Sequence, residues 1–245
     1  SPAHWINREA AQAACRPGTV VHRSDYRGMP KEWLGEAFVA EAERLKAEKP
    51  EAYAHEYLGE AVGTGGEVFT NLTLRKIPEE EKAGFCRVKR GIDWGYGADP
   101  FVYLAAEYDR KRGRLLLYHE FYKHRAGYEE IAREIQEENP LREPVSAESA
   151  EPRSNDELKS RGIRVVPAKK GPGSVEHGIT WLQNLSEIVI DPEKCPNAAR
   201  EFSGYSLEPD REGGFLSGFP DRDNHCIDAL RYACEREMRK PGISF

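Results

Sequence analysis

Three acids interrupt apolar runs where a strand would normally carry only hydrophobic side chains. Asp93 closes the first, in Gly91-Ile92-Asp93-Trp94-Gly95-Tyr96-Gly97. A carboxylate at the end of a buried strand needs a partner to offset its lost hydration, and a metal ion is one such partner. Gly95 and Gly97 would let a substrate backbone approach closely. Glu148 ends a second run, in Ser146-Ala147-Glu148-Ser149-Ala150-Glu151-Pro152, where small neighbours leave room for ions and Glu151 adds a second acid across the turn. The third group is Asp221-Arg222-Asp223-Asn224-His225-Cys226-Ile227-Asp228, continuing to Arg231 and Tyr232. On a helix, His225 and Asp228 share a face at i and i+3, beside a core stripe of Ile227, Leu230 and Cys234, with Asp223 as a further acid ahead of it. Each acid alone has a plainer reading: a turn aspartate bonded to its own loop, a helix-start acid favoured by the dipole, or a surface pair of Asp228 with Arg231. Together they make the oxygen-rich set that Mg²⁺ or Mn²⁺ prefers.

Cations come in three runs: residues 87–90, 110–114 and 168–174. Charge runs usually solvate a turn. The third run differs, because Lys169, Lys170, Gly171, Gly173 and Ser174 end a strand and open a helix. Two lysines, exposed amides and a helix N-terminus have the form of a phosphate cradle. Other chemistries find no support. The glycines from Gly59 to Gly66 lack a G-K-[ST] ending, and Gly95-Tyr96-Gly97 leads into a strand rather than a helix. No G-x-S-x-G, H-E-x-x-H or C-x-x-C occurs. His225 and Cys226 are adjacent and would point about 100° apart on a helix, a poor nucleophile–base pair. The five cysteines, Cys15, Cys86, Cys195, Cys226 and Cys234, read as reduced thiols.

The elements that must position these residues follow from periodicity. Strands are expected at 87–94, 101–108 and 114–121, the last two joined by a polar turn at 109–113. Tyr128, Ile131 and Ile135 mark a helix that Pro140 stops. A short strand at 144–150, a helix at 154–161, a strand at 163–168 and a helix at 175–185 come next. After Ile188-Val189-Ile190 the pattern predicts a helix at 198–202, a hairpin through Gly213-Gly214, and a last helix over 224–238. Three meander strands followed by alternating helices and strands imply an α/β fold, a mixed sheet with helices on both faces. The first 80 residues differ. Pro30 opens a helical stretch with Leu34, Phe38, Ala42 and Leu45 on one stripe, and Tyr53 and Tyr57 face the same way beyond Pro50. The pattern reads as a linker or the end of a neighbouring domain over 1–80 and a main domain over 81–245.

At 245 residues the chain can bury one sizeable core. The 36 basic against 42 acidic residues give a net charge of −6, which excludes a general DNA-coating role because that needs a strong basic excess. No apolar run is long enough to span a bilayer, so no membrane partner is expected. The opening Ser1-Pro2-Ala3-His4 has neither the basic nor the apolar region of a signal peptide.

Four motifs, in order, carry a family resemblance: residues 91–95, 147–154, 168–175 and 224–232. The chain resembles the nuclease domain of the large terminase subunit of tailed bacteriophages, and residues 53–60 and 66–69 resemble the segment joining that family's ATPase domain to its nuclease. The resemblance implies an RNase H-like fold and a DNA endonuclease that cuts concatemeric viral DNA at the start and end of packaging. It implies two divalent cations, Mg²⁺ or Mn²⁺, held by Asp93, Glu148 and Asp228, with His225 orienting Asp228 or a metal-bound water. Lys169, Lys170, Gly171, Gly173, Ser174 and Arg153 would bind double-stranded DNA, and Glu151 and Asp223 are additional candidate acids. Glu148 stands where the family usually has aspartate. No ATP-binding motif is present, so the resemblance implies a C-terminal piece of a longer protein. It also implies partners (its own ATPase domain, a small terminase subunit and a portal) and a bacterial host cytoplasm as the setting. Two rivals remain at this point: another RNase H-like nuclease such as a junction resolvase, and a catalytically silent docking module of a packaging motor.

Overall fold

The computed structural model describes residues 18–20, 22, 24–59, 66–95, 97, 99–210 and 214–238. The chain divides into two compact units, Ser1–Glu67 and Val68–Phe245. In the first, a 3₁₀ turn at Tyr26–Gly28 precedes α1 (Lys31–Leu34), α2 (Glu36–Glu48) and α3 (Pro50–Glu56). Gly35, at φ 76°, breaks the expected single helix after Leu34. The predicted stripe buries Ala42. Tyr53 and Tyr57 stack at 5.8 Å, and Tyr26 and Phe38 pack edge-on at 5.5 Å.

The second unit holds a seven-stranded sheet among the described residues, in the order β1-β7-β4-β3-β2-β5-β6. The strands are β1 (Leu72–Leu74), β2 (Val88–Asp93), β3 (Phe101–Asp109), β4 (Arg114–Lys123), β5 (Val145–Ala147), β6 (Val165–Pro167) and β7 (Glu187–Ile190). Only β3 runs against its neighbours; β2 and β4 flank it antiparallel, and every other pairing is parallel. The helices are α4 (Glu79–Lys82), α5 (Tyr128–Glu138), α6 (Pro152–Ser160), α7 (Ser174–Gln183), α8 (Pro196–Gly204) and α9 (His225–Met238). None of the helices among the described residues is long and apolar enough to cross a membrane.

Alternation along β3 sorts the core. Val102, Leu104 and Ala106 face α7, α8 and α9, while Phe101 and Tyr103 face α5 and α6. The mixed sheet covered on both faces matches the expected architecture. One boundary moves. Leu72–Leu74 lie in the stretch taken as linker, yet they pair with Ile188–Ile190 on β7. Val68, Phe69 and Ile77 are buried in the same unit, so the division falls after Glu67 rather than after residue 80. At the expected hairpin the described residues hold an antiparallel bridge, Pro209 to Phe215, with the Asp210 amide donating to the Gly214 carbonyl at 3.0 Å and the Leu216 amide to the Glu208 carbonyl at 2.8 Å, while Gly213 lies outside the described residues. The glycine-rich stretch of residues 60–65, Tyr96 and Cys15 also lie outside them. The described cysteines are free thiols.

Candidate active site

Strand register sets the site. Gly91 and Ile92 of β2 pair with Ser146 and Ala147 of β5, and the Glu148 amide then donates to the Ile92 carbonyl at 3.1 Å. Glu148 is thereby carried next to Asp93, both at the carboxyl ends of parallel strands, where open α/β sheets place their ligands. On the other side of β5, Ala147 pairs with Pro167, and the Ala168 amide donates to the Ala147 carbonyl at 2.7 Å. This brings the Lys169–Lys170 pair to the same end.

The third acid arrives on α9, which lies directly against β2. A Cβ on Gly91 would stand 1.9 Å from the Ala229 carbonyl oxygen, so only glycine permits this approach. Asp93 lies two residues beyond Gly91, on the same face of the strand, and Asp228 immediately precedes Ala229 on the helix. The start of α9 is fixed by Glu201, which is 2% exposed and accepts the Cys226 amide at 2.6 Å.

Each acid is held by a cation or an imidazole. Asp93 Oδ2 lies 3.1 Å from His225 Nδ1, and His225 Nε2 lies 3.8 Å from Asp99. Glu148 accepts a bond from Lys170 Nζ, which also lies over the Tyr232 ring at 5.2 Å. Asp228 Oδ1 receives Arg231 Nε at 3.0 Å and Nη2 at 2.9 Å. Burial raises the Asp93 pKa above the ordinary carboxylate range; the charge of Glu148 pushes it the same way, and His225 and Lys170 oppose. Burial likewise raises Asp228, opposed first by Arg231 and reinforced by the charge of Asp93. Burial works against the Lys170 ammonium, but its bonds to Glu148 and Tyr232 and the charges of both together outweigh that and raise its pKa. The bond to Asp93 does the same for His225. Asp93 is thus close enough to each of the other two carboxylates for their charges to repel. As the side chains stand, no three His, Cys, Asp or Glu among the described residues are grouped to hold a metal ion. The cationic partners balance the acids in this arrangement.

Two predicted contacts differ. His225 bonds Asp93 rather than Asp228, because the close seat of α9 on β2 turns its ring toward the strand end. The Asp228–Arg231 pair exists but is no surface pair, since Arg231 is 5% exposed. The other candidates lie around this centre. Glu151 precedes α6, accepts the Asn155 amide on its carbonyl and lines a separate cavity with Trp94 and Asp99. Asp223 is exposed at φ 50°. Arg153 is exposed on the first turn of α6. Lys169, Lys170, Gly171 and Ser174 line a cavity of about 320 Å³ with Arg231 and Tyr232, while Gly173, at φ 73°, precedes α7.

The other basic runs sit elsewhere. Arg87 and residues 110–112 line a cavity of about 500 Å³ at the opposite end of β2, and Arg90 is consumed by Glu138 at 2.7 Å and Glu143 at 2.6 Å. Asn155, which sequence reasoning passes over, is 1% exposed and clamps two acid-bearing strand ends together. Its Oδ1 accepts the Trp94 indole N–H at 3.0 Å, and its Nδ2 donates to the Glu148 carbonyl at 2.8 Å.

Residues 93–236 match the family described as terminase RNase H-like domain. The chain is 40% identical over 244 residues to the terminase large subunit of Bacillus phage SPP1, covering 98% of this chain and 57% of that protein. It is 24% identical to the PBSX phage terminase large subunit of Bacillus subtilis, covering 83% of this chain and 48% of that one. The chain therefore spans about half the length of these relatives. The nuclease domain of the SPP1 large terminase, solved with bound Mn, superposes with a TM-score of 0.66 at 40% identity, over 69% of this chain and 98% of that one. The large terminase of a thermophilic bacteriophage shares the fold at 15% identity and a TM-score of 0.51, over 95% of this chain and 59% of that one.

Proposed function

Because the chain belongs to the terminase RNase H-like domain family of large terminase subunits, we propose that its strand-end acids form the metal site of an endonuclease that hydrolyses DNA phosphodiesters. The observation that carries this reading is the register: β2, β5 and α9 deliver Asp93, Glu148 and Asp228 to one sheet end, where burial and mutual repulsion raise Asp93 and Asp228. Carboxylate oxygens beside an imidazole suit Mg²⁺ or Mn²⁺, and a 40% identical domain was solved with Mn. Excess negative charge, at present balanced by Lys170 and Arg231, is what a divalent cation would neutralise.

Two divalent cations held by Asp93, Glu148 and Asp228 would supply an activated water and stabilise the leaving 3′ oxygen. Asp93, electrostatically coupled to both other acids, would be the ligand at the centre of the set. Glu148 and Asp228 would complete the ligand set. His225 Nδ1 fixes the Asp93 carboxylate and keeps its oxygens aimed into the site. Lys169, Lys170 and Ser174 receive phosphate oxygens at the neighbouring cavity, which gives affinity without sequence choice.

In the full-length protein the same activity would cut concatemeric viral DNA at the beginning and end of packaging. The first unit would then join the nuclease to an ATPase domain, with a small terminase subunit and a portal as partners in the host cytoplasm.

Plasmid cleavage by the purified chain tests this, with Mg²⁺, Mn²⁺, Ca²⁺ or EDTA and with Asp93→Ala alongside. Cleavage with Mn²⁺ or Mg²⁺ that falls to background in EDTA and in the variant is the expected result. Cleavage that persists in EDTA, or equal cleavage by Asp93→Ala, would sink the reading.

A further inference from the structure

Arg231 is the most deeply buried cation near the acids, and beyond balancing their charge the proposed chemistry gives it no task. Buried arginines persist only where their donors are used. Nε and Nη2 hold Asp228 Oδ1, while Nη1 reaches the Ser174 carbonyl at 3.2 Å, on the first residue of α7. The side-chain stem passes over Gly178, where a Cβ would stand 2.8 Å from Arg231 Cδ and 3.3 Å from Cγ. Glycine on α7 is therefore what admits the arginine. One planar fork thus grips an acid on α9 and the helix turn that follows the lysine loop.

We propose that Arg231 is a positioning residue that couples the two halves of the site, the Asp228 carboxylate and the phosphate-receiving cavity lined by Lys169, Lys170 and Ser174. The proposal rests on the nuclease reading above. A guanidinium presents five donors in a fixed fork, so it can hold both groups at once; an ammonium carries the same charge without that geometry. Partners that orient a ligating side chain typically contribute ten- to a hundredfold in metal affinity. Because the same group touches both halves, cation binding at Asp228 steadies the start of α7, and a phosphodiester in the cavity tightens the cation reciprocally.

The test uses the whole chain without DNA and reads Mn²⁺ affinity by electron paramagnetic resonance titration. Amide hydrogen exchange over residues 171–178 is followed with and without Mn²⁺. In the unsubstituted chain Mn²⁺ binds and slows that exchange. Arg231→Lys, which keeps the charge, should bind Mn²⁺ roughly ten- to a hundredfold more weakly and show no slowing at saturating Mn²⁺. Gly178→Ala, which displaces the stem and leaves the arginine present, should show the same two losses in milder form, and it serves if Arg231→Lys fails to melt cooperatively. Unchanged Mn²⁺ affinity in these variants overturns the proposal. So does weakened affinity with the exchange response intact at saturation, because the coupling is then absent. A failure of the underlying reading looks different: the unsubstituted chain would bind no Mn²⁺, or Asp228→Asn would bind it as well as the parent.

Discussion

Asn155 joins two strand ends through two hydrogen bonds that no other side chain in the site duplicates. Replacing it with alanine leaves the Trp94 indole N–H and the Glu148 carbonyl without partners, each costing about 1–3 kcal/mol. Asn155→Ala is therefore expected to lose about 2–6 kcal/mol in urea unfolding, and to lower kcat while DNA affinity stays near that of the parent. A variant that weakens DNA binding in proportion to cleavage would contradict the clamp. At this scale the sequence shows which residues carry charge but not whom they meet. Asp93, Glu148 and Asp228 stand out because acids interrupt apolar runs. Asn155 does not, because an amide at a helix start looks solvated, and its partner Trp94 is 61 positions away. Arg231 at i+3 from Asp228 reads as an exposed pair; its burial depends on Gly178 of another helix.

The placement of α9 governs the site at the level of elements, and Glu201 on α8 governs where α9 begins. Burial pushes the Glu201 carboxyl from its ordinary 4.5 up to about 7, although the Cys226 amide pulls the other way, and its Oε1 has no hydrogen-bond partner. A carboxyl raised in the folded state favours folding below its unfolded pKa, and that contribution is lost as pH rises to the folded value. From about 4.5 to about 7 the loss approaches about 3 kcal/mol, at 1.36 kcal/mol per unit. Glu201→Gln carries no such titration. The stability difference between Glu201→Gln and the parent should therefore grow in favour of the variant from about pH 4.5 to about pH 7.5, by up to about 3 kcal/mol. Parallel stability–pH curves would refute it. Strands β2, β3 and β4, and helices α5 and α9, were legible from periodicity because each is long and apolar on one face. The three-residue β1 was not: at Leu72–Leu74 there is too little alternation to see, and its reason for being a strand lies on β7.

For the molecule as a whole, the division after Glu67 has a direct consequence. Val68, Phe69 and Ile77 are 4%, 6% and 2% exposed, and Asp191 Oδ2 accepts the Ile77 amide at 2.9 Å. Burial of three such side chains contributes roughly 5–9 kcal/mol, comparable to the stability of a whole domain. A chain trimmed to residues 68–245 should melt cooperatively, whereas one trimmed to 81–245 should fail to fold or associate through the uncovered edge of β7. Equal melting temperatures for the two would place the boundary where the sequence pattern put it. Whether the three acids share one cation site is settled by Mn²⁺ anomalous scattering from crystals of this chain. The expected map shows Mn²⁺ peaks bounded by Asp93, Glu148 and Asp228, with Lys170 released from Glu148. A map at saturating Mn²⁺ with no peak between those carboxylates, and Lys170 still bound to Glu148, would contradict it.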